Sequence, residues 1–483
     1  MAVPAPRPDD RGNVPAQRPV PDAAEAALRR RRVILFSVIA ALGGFLFGYD
    51  TSVINGAVGA VQTNYQAGLL ALGAAVASAL VGSAIGALIA GPTADRIGRV
   101  RTMLIASGLF VVGSLGTGLA ATLYDFSAWR IVGGLAVGMA SVVAPAYIAE
   151  ISPARQRGRL GSLQQLAIVI GISVSLFADF AIATIAGSPQ AATFIFGAPA
   201  WRVMFWAEVL PAILYGILVL QIAESPRYLV QRGRDVEAAV VLRELQGGDV
   251  MGKVAEIRQT VKTEAHPHLR DLRDSRYGLL PIVWIGIGLS VFQQLVGINV
   301  IFYYSTVLWS SVGFSTQGAL GITVVTSVVN IVTTFIAIGF IDRVGRKPLL
   351  LVGSAGMALS LGALAFLFAS APLNGAGQPQ LGSNALPALV AANLFVVFFG
   401  FSWGPAVWVL LGEMFPNRIR AIAVAVAASA QWIANFVVST TFPSLQHLGL
   451  GFAYGLYTTA AVLSFFFIWR FLRETKGKEL EHM

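Results

Sequence analysis

Ionisable side chains inside apolar stretches are the first residues of this sequence that could do chemistry. Asp50 lies in the apolar, glycine-rich stretch GGFLFGYDTSVINGA, and Asp179 and Glu208 have similar surroundings. A charge buried among apolar residues is expensive, so such an acid either has a partner or changes its protonation state. Arg130 lies near the start of another apolar stretch. We expect it to pair with Asp50, because pairing relieves both residues of much of their desolvation cost.

An acid whose only partner is an arginine can act as a proton switch. The guanidinium keeps its charge and ionises the acid, and the desolvated acid takes up a proton once the two side chains part. The alternative for Asp50 and Arg130 is a static salt bridge. Glu208, in the same stretch as Arg202, is a candidate for a secondary place on a proton path. Alternatively, Glu208 only lies beside Arg202 or makes a polar contact with another helix. The sequence assigns no role to Asp179.

Amide side chains inside the apolar stretches form a second group. The group contains Gln165, Gln293, Gln294, Asn299, Asn330 and Gln431. Each amide offers a donor and an acceptor, which suits a polyhydroxylated ligand such as a sugar. Trp408 adds an aromatic face for the apolar side of a sugar ring, in a stretch loosened by Gly404 and Pro405. Gly297, among the amides, permits local unwinding of a helix. The alternative is that the amides only join helices, at ~1 kcal/mol or less per pair.

The composition places these residues in a membrane. Of 483 residues, 56% are hydrophobic and only 12% are charged, and the mean hydropathy is +0.71. These values predict an integral membrane protein. The sequence has no cysteine, four scattered histidines and no GxxxxGK phosphate loop. We therefore expect no disulfide, no metal, no cofactor and no enzymatic activity.

Twelve stretches are apolar over about 20 residues, the length that crosses a membrane core of about 30 Å as a helix. They cover approximately residues 33–58, 69–91, 102–121, 127–149, 161–183, 203–222, 279–308, 320–341, 348–370, 387–411, 421–441 and 451–469. Lipid offers no partner for backbone amides, and the stretches lack the alternation of barrel strands. The predicted fold class is therefore an all-α integral membrane protein with twelve transmembrane helices.

Lysine and arginine are concentrated in the loops of one side. When the loops are assigned alternately to two sides, one side receives the basic loops, and the opposite loops, such as 59–68 and 184–201, contain no Lys or Arg. The positive-inside rule then predicts that the basic side and both chain termini are cytoplasmic. The net charge of +10 thus follows from the topology, and we expect no nucleic-acid partner.

The loop 223–278 divides the spans into six and six, and two segments in it have apolar residues at helical spacing. We therefore predict a short helical cytoplasmic domain between two bundles. The predicted domains are a disordered cytoplasmic tail at 1–28, a six-helix bundle at 29–222, the helical linker at 223–278, a second six-helix bundle at 279–472 and a cytoplasmic tail at 473–483.

The two halves repeat short charged motifs. GPTADRIGRVR follows the second span and FIDRVGRKPLL follows the eighth, and a Glu-x6-Arg pair follows both the fourth and the tenth. Such a repeat predicts two similar bundles with a ligand between them near the membrane midplane, and rocking of the halves. We predict charge pairs between helix ends that break as the halves move; the alternative is that the motifs only anchor tight turns. The motif residues are Asp95, Arg96, Gly98, Arg99, Glu150, Arg157, Glu224, Arg227, Asp342, Arg343, Gly345, Arg346, Glu413 and Arg420.

These motifs carry a family resemblance. The paired D-R-x-G-R loops, AESPRYL, QQLVGINVIFYYS, GPAVWVLLGEMFP and RETKGK, in this order, resemble the sugar porters of the major facilitator superfamily. The resemblance covers about residues 33–478 and is strongest to bacterial proton-coupled glucose and xylose symporters. Facilitative glucose transporters of animals are more distant. It implies the major facilitator fold and import of a monosaccharide by alternating access.

The resemblance also implies roles for individual residues. Sugar contacts of the family fall on the six amides and Trp408, with Phe47 and Trp432 as aromatic lining. Xylose carriers have a second glutamine at the position of Ile172, whereas glucose carriers have isoleucine there, as this chain does. A hexose, above all glucose, is therefore expected over a pentose. Proton symporters of the family have Asp at the position of Asp50, and facilitative members have Asn. The expected protein is a monomeric proton:sugar symporter of the plasma or inner membrane, with lipid, proton and monosaccharide as partners. A facilitative uniporter and a pentose symporter are the alternatives.

Overall fold

The computed structural model describes residues 23–153, 156–190, 194–263, 269–274, 276–372, 379–416 and 419–474. Within these residues, twelve helical segments are long and apolar enough to cross a membrane. The prediction of an all-helical membrane protein with twelve spans is therefore confirmed. The segments 1–22 and 475–483, which contain most of the two predicted tails, lie outside the described residues.

The first half contains six spans, and two of them are interrupted. Its helices are α1 (Ala23–Ser52), α2 (Ile54–Tyr65), α3 (Leu69–Ile97), α4 (Arg99–Leu119), α5 (Leu123–Ile151), α6 (Arg157–Ala186), α7 (Ala200–Ala207) and α8 (Val209–Val219), with a single 3-10 turn at Ile195–Gly197. The first span consists of α1 and α2, and the sixth consists of α7 and α8. Since spans alternate in direction, α2 and the start of α3 lie on the side opposite the basic loops.

Helix α1 begins earlier than predicted. Residues 23–28, which were assigned to a disordered tail, are helical. The segment has the sequence AAEAAL, in which Ala, Glu and Leu are all strong helix formers. Arg29 pairs with Glu25 one turn earlier at 2.5 Å, and Arg32 pairs with Glu244 of the linker at 3.2 Å. The predicted boundary at residue 28 is therefore wrong.

The linker between the halves is mostly helical, as predicted. It contains α9 (Pro226–Gln231), α10 (Asp235–Leu245), α11 (Val250–Thr263), a 3-10 turn at Leu269–Leu272 and the strands β1 (Arg273–Asp274) and β2 (Gly278–Leu279). Helices α10 and α11 coincide with the two segments of helical spacing. The two strands form an antiparallel pair in which Arg273 lies opposite Leu279, and the sequence analysis missed this pair because each strand has only two residues.

The second half repeats the first. Its helices are α12 (Pro281–Leu295), α13 (Ile298–Tyr303), α14 (Ser305–Ser311), α15 (Thr316–Val344), α16 (Arg346–Ala369), α17 (Ala385–Phe398), α18 (Gly404–Met414), α19 (Arg420–Leu448) and α20 (Leu450–Phe471), with a 3-10 turn at Gly382–Asn384 and a π-helical segment at Phe399–Trp403. Gly98 and Gly345 of the repeated motifs have φ of 102° and 99°. Only glycine adopts such angles readily, so the two tight turns correspond in backbone conformation.

The packing differs between the two sides of the membrane. One apolar cluster joins both halves. On the side opposite the basic loops it includes Ile54, Val58, Ile301 and Leu308, and in the second half it continues to the basic side at residues such as Phe415. A second cluster occupies the basic side of the first half, around residues such as Phe110. The halves therefore contact each other closely on the non-basic side.

Candidate functional site

A cavity of about 800 Å³ lies between the two halves. On the first half its wall includes Pro92 of α3, Pro145 of α5 and Gly161 of α6, and on the second half it includes Ser429 of α19. These residues lie on the parts of their helices that run to the basic loops. The cavity therefore extends from the middle of the membrane to the basic side.

The structure brings all the predicted ligand-binding residues together in the wall of this cavity. They are Phe47, Gln165, Ile172, Gln293, Gln294, Asn299, Asn330, Trp408, Gln431 and Trp432. These side chains come from both halves of the chain. A single molecule in the cavity can therefore contact both halves at once.

Three of the amides form a connected chain in the seventh span. Gln293 Nε2 donates to the carbonyl of Trp403 at 2.9 Å, Gln294 Nε2 donates to Gln293 Oε1 at 3.4 Å, and Asn299 Nδ2 donates to Gln294 Oε1 at 2.5 Å. Gly297 separates α12 from α13 with φ of 79°, which confirms the predicted break. The break lets Asn299 reach back to Gln294, so the chain fixes the orientation of each amide.

Two breaks meet in this part of the wall. The tenth span has a π-helical segment at Phe399–Trp403, directly before Gly404 and Pro405. A π segment and a proline both disturb the helical ladder and leave carbonyl groups without a helical donor. The carbonyl of Trp403 instead accepts the hydrogen bond from Gln293. Trp408, one turn further on, is 40% exposed and presents its ring to the cavity.

Two amide residues of the wall were missed by the sequence analysis. Gln164 lies beside Gln165, and Asn435 lies one helical turn after Gln431 on α19. Within the described chain, both polar atoms of Gln164 and Oε1 of Gln431 are buried without a hydrogen-bond partner. Buried polar groups normally have partners, so these atoms fit a hydroxylated ligand or water. The doublet of glutamines and the four-residue spacing were the signals in the sequence.

The aromatic lining residues connect the halves. Phe47 of α1 and Trp432 of α19 have ring centroids 5.9 Å apart, with planes tilted by 43°. Such a pair stabilises by about 0.5–1.5 kcal/mol beyond its buried area. The two rings therefore join the bundles at the cavity wall.

Asp50 and Arg130 form the predicted ion pair. Arg130 Nη1 lies 3.0 Å from Asp50 Oδ1, and the two residues are 3% and 2% exposed. Asp50 Oδ2 and Arg130 Nε are buried without a hydrogen-bond partner among the described residues. The neighbours Thr51 and Ser52 line the cavity, so the pair lies directly behind the cavity wall.

The ion pair lies next to an interruption of the first span. The helical ladder stops between α1 and α2 at Val53. The carbonyl of Asp50 accepts a hydrogen bond of 3.0 Å from Arg130 Nη1, and the N–H of Gly56 donates to Asp179 Oδ2 at 3.2 Å. Both backbone groups thus have side-chain partners in place of helical ones, as buried backbone groups require.

Glu208 and Asp179 are the other acids within the spans, and both are fully buried. Glu208 lies at the interruption between α7 and α8 and accepts a hydrogen bond of 2.8 Å from Ser114 Oγ. Arg202 donates to the carbonyls of Gly118 and Ala120.

The motif residues of the first half form a cluster at its basic end. Arg99 contacts Glu150 at 3.0 Å and Asp95 at 3.0 Å. Glu224 accepts a hydrogen bond of 2.9 Å from the backbone N–H of Arg99. Arg227 lies 3.8 Å from Glu150. The carbonyl of Arg96 accepts from Arg232. The cluster ties together the basic ends of several helices.

The second half has an equivalent cluster. Arg346 contacts Glu413 at 2.9 Å, and Glu474 accepts from the backbone N–H groups of Arg346 and Lys347 at 3.0 and 2.9 Å. Glu474 thus repeats the role of Glu224, and the sequence analysis missed it although the internal repeat signalled it. Arg420 donates to the carbonyl of Phe415 at 3.1 Å. The side chains of Arg157, Asp342 and Arg343 lie outside the described residues.

A polar contact closes the side opposite the basic loops. Asn55 of α2 donates to the carbonyl of Phe302 at 2.9 Å and accepts from the N–H of Thr306 at 3.3 Å. Asn55 was missed although it lies in the stretch that contains Asp50. The contact joins the two halves, so the cavity is closed on this side and extends to the other.

Twelve membrane spans in two similar halves, with a cavity between them that is closed on one side, define a transporter of the major facilitator type. The chain matches the family model described as "Sugar (and other) transporter" over residues 36–483. It belongs to this family of sugar porters and is a transporter, not an enzyme.

Proteins of known name support this assignment. The chain is 58% identical to a glucose transport protein of Synechocystis, over 93% of this chain and 97% of that protein. It is 37% identical to the D-xylose-proton symporter of Escherichia coli, over 93% and 95% of the two chains. The solved partially occluded, inward-open conformation of the xylose transporter from E. coli has a TM-score of 0.80 at 35% identity, covering 93% of this chain and all of that one.

Proposed function

We propose that this protein is a proton:sugar symporter that imports a hexose, with glucose as the leading substrate, across the plasma membrane of a bacterial cell. The observation that carries the proposal is the buried ion pair of Asp50 and Arg130 directly behind a cavity lined with amides. The pair supplies a proton-binding group, and the amides supply the sugar site. The protein acts as a single chain, since both halves of the cavity belong to one chain.

The pair couples the two ligands through its geometry. Arg130 holds Asp50 ionised while they are in contact, and a protonated Asp50 no longer attracts Arg130. Arg130 also bonds the carbonyl of Asp50, so protonation affects the interruption of the first span as well as the salt bridge. Thr51 and Ser52 carry that change to the cavity wall. We assign Glu208, which is fully buried at the interruption of the sixth span, to the same path as a secondary proton acceptor.

The cavity wall supports a hexose as substrate. Seven polar or aromatic side chains named for sugar contact face one space, which is large enough for a monosaccharide with water. Ile172 of the wall leaves an apolar position where xylose carriers are expected to have an amide. The relative at 58% identity is named a glucose transport protein, and the relative at 37% is named a xylose symporter. These observations favour glucose over a pentose.

The present conformation fits the release step of import. The basic side faces the cytoplasm by the positive-inside rule, and the cavity extends to that side. Asn55 and its contacts close the extracellular side. The described motif clusters, such as Arg99 with Glu150, lie each within one half. We propose that they hold the helix ends of each half together and rearrange when the halves meet on the cytoplasmic side.

Transport in proteoliposomes tests the proposed function. Purified protein is reconstituted and supplied with labelled glucose, xylose and other monosaccharides, with and without an imposed pH gradient. We expect accumulation of glucose above equilibrium only when the external medium is acidic, with alkalinisation outside as the sugar enters. Equilibration without accumulation would show a facilitative uniporter, and preferential accumulation of xylose would show a pentose symporter.

A further inference from the structure

The buried acid Asp179 has no part in the proposed coupling, yet it makes a specific contact. Its side chain lies on α6 and is fully buried. Its Oδ2 accepts a hydrogen bond of 3.2 Å from the N–H of Gly56, while Oδ1 has no hydrogen-bond partner in the described chain. Burial of a carboxyl group is costly, so this contact requires an explanation.

The contact stabilises one side of the interruption between α1 and α2. In a continuous helix the N–H of Gly56 would donate to the carbonyl of Ser52, four residues earlier. Here Asp179 takes the place of that carbonyl for the N–H group. Arg130 takes the matching place on the other side, where it donates to the carbonyl of Asp50. Two side chains from different helices thus hold open a single break in the first span.

The space around Gly56 is adapted to this contact. A Cβ atom at residue 56 would lie 2.8 Å from both Cβ and Cγ of Asp179. Real side chains do not approach so closely, so any residue other than glycine forces Asp179 or α2 to move. The close approach of α2 and α6 and the hydrogen bond between them therefore depend on each other.

The segment held in this way carries the extracellular closure. Helix α2 begins at Ile54, directly after the break, and Asn55 on its first turn bonds Phe302 and Thr306 of the second half. If the N–H of Gly56 returned to the helical ladder, α1 and α2 would join into one continuous helix, and Asn55 on the first turn of α2 would turn away from its partners. Opening of the extracellular side would follow.

Asp179 is also aligned with the cavity. Residues seven apart lie close to one face of a helix, and Gln165 and Ile172 of the cavity wall precede Asp179 at this spacing on α6. One face of α6 therefore runs from the predicted sugar contacts to the contact with α2.

We propose that Asp179 is a positioning residue that keeps the break in the first span open and thereby favours closure of the extracellular side. The proposal rests on alternating access in the proposed function but not on proton coupling. Its effect is carried by the acceptor oxygen at Gly56, so an asparagine, which also has a carbonyl oxygen, can replace it. Removal of the acceptor shifts the population towards the outward-open state.

The absence of cysteine from the chain permits a direct test. Ser310 lies one turn beyond Thr306 on α14 with a buried Oγ, and Ser429 lines the cavity. A single cysteine at either position reports on one side of the membrane through its rate of reaction with a hydrophilic maleimide, measured on the full chain in nanodiscs. We expect Asp179→Ala to raise the rate for Ser310→Cys roughly tenfold, as expected for loss of one buried hydrogen bond, and to lower the rate for Ser429→Cys.

Conservative and control variants separate this role from general loss of stability. Asp179→Asn is expected to restore the labelling rates of the parent protein. Ser175→Ala removes another buried polar atom of α6, one without a hydrogen-bond partner among the described residues, and it is expected to leave both rates unchanged. If Asp179→Asn behaves like Asp179→Ala, or if Ser175→Ala shifts the rates equally, the acceptor role is wrong.

A double variant tests the contact itself. Gly56→Ala disturbs the same hydrogen bond from the other side and should raise the Ser310→Cys rate as well. Asp179→Ala frees the space that the new methyl group needs. The labelling rate of Ser310→Cys in the double variant should therefore exceed the rate in neither single variant. Additive effects of the two changes, or unchanged rates in all three proteins, would overturn the proposal. Because labelling needs neither sugar nor a proton gradient, its failure is distinguishable from a failure of symport.

Discussion

At the scale of single residues, the function depends on which polar groups the membrane interior tolerates. Asp50 and Arg130 are almost completely buried and satisfy each other, although each retains one buried polar atom without a partner in the described chain. An ion pair that leaves such buried polar atoms without partners contributes little net stability, because its desolvation cost is only partly offset. The pair is therefore suited to separation by a single proton.

The first prediction concerns the acid of this pair. Asp50→Asn removes the proton-binding group but keeps a hydrogen-bond acceptor for Arg130. We expect accumulation driven by a pH gradient to be lost while exchange of labelled for unlabelled sugar continues, as measured in proteoliposomes. Asp125→Asn, in the first turn of the helix that carries Arg130, is the matched control and should accumulate sugar normally. Persistent sugar-induced alkalinisation in Asp50→Asn would falsify the role as proton carrier.

The second prediction concerns the aromatic face of the cavity. Trp408→Ala removes an exposed ring without touching the chain of amides from Gln293 to Asn299. A ring stacked on a sugar contributes about 1.4 kcal/mol, so we expect binding to weaken about tenfold. Isothermal titration calorimetry, whose signal does not depend on tryptophan fluorescence, gives the affinity for the sugar. Thermal unfolding checks that the variant remains folded. Thr441→Ala, at a half-buried polar residue of α19 that is not among the residues of the cavity wall, should bind sugar like the parent. Equal affinities in all three proteins would remove Trp408 from the site.

At the scale of elements, the interrupted helices position the site. The seventh span breaks at Gly297, the tenth contains a π segment, and the first is interrupted at Val53. Each break frees backbone groups inside the membrane, where water cannot satisfy them. Side chains of neighbouring helices satisfy them instead, as Gln293 does for Trp403 and Arg130 does for Asp50. The breaks therefore connect the amides of the cavity wall and the ion pair to the interrupted helices.

The third prediction tests one of these breaks. Gly297→Ala places a Cβ atom 2.7 Å from the ring of Tyr457 at a φ of 79°. The positive φ alone costs about 1–2 kcal/mol for a residue with a side chain, and the clash adds to it. We expect a lower melting temperature and weaker sugar binding, since Asn299 no longer reaches Gln294.

A glycine elsewhere provides the control for this substitution. Gly412 lies within α18 and has open space at its Cβ position. Gly412→Ala should keep sugar affinity unchanged and raise stability by up to about 1 kcal/mol, because alanine favours a helix. Thermal unfolding and sugar binding of the two variants are compared directly. Equal effects at positions 297 and 412 would contradict a specific role of the break.

At the scale of the whole molecule, the two halves are joined on one side and separated on the other. Asn55 binds across the halves on the side opposite the basic loops, while the described motif clusters on the basic side stay within their own halves. This asymmetry is what an alternating-access transporter requires, since a conformation open on both sides would dissipate the gradient. The repeated clusters around Glu224 and Glu474 make each half a unit that can rock.

The fourth prediction concerns a cross-link that holds this contact closed. Asn55 and Thr306 are in hydrogen-bond contact, and the chain has no cysteine of its own. In the variant Asn55→Cys/Thr306→Cys, we expect an oxidised cross-link to abolish transport and a reductant to restore it. Sugar binding from the cytoplasmic side should survive in the oxidised form. Each single cysteine variant serves as control and should transport in both redox conditions. Full transport by the cross-linked protein would contradict closure of this gate during import.

The sequence by itself determined the parts of the structure that depend on local composition and on chain direction. Stretches long enough to cross the membrane, the basic loops and the repeated motifs follow from hydropathy, charge and spacing, so the twelve spans, the break at Gly297 and the cavity residues such as Gln293 and Trp408 could be predicted. Asp50 and Arg130 could be paired because only a few charges lie within the spans.

The tertiary structure decided the partners of residues that lie far apart in the chain. Lipid and protein interior are both apolar, so hydropathy does not tell which face of a membrane helix meets which neighbour. For that reason Asn55 with Thr306, Glu474 with Arg346 and Asp179 with Gly56 emerged only from the folded chain. Their contacts join helices separated by more than a hundred residues. Each arises because a polar group buried in a membrane protein must find a partner, and packing alone determines which partner is near.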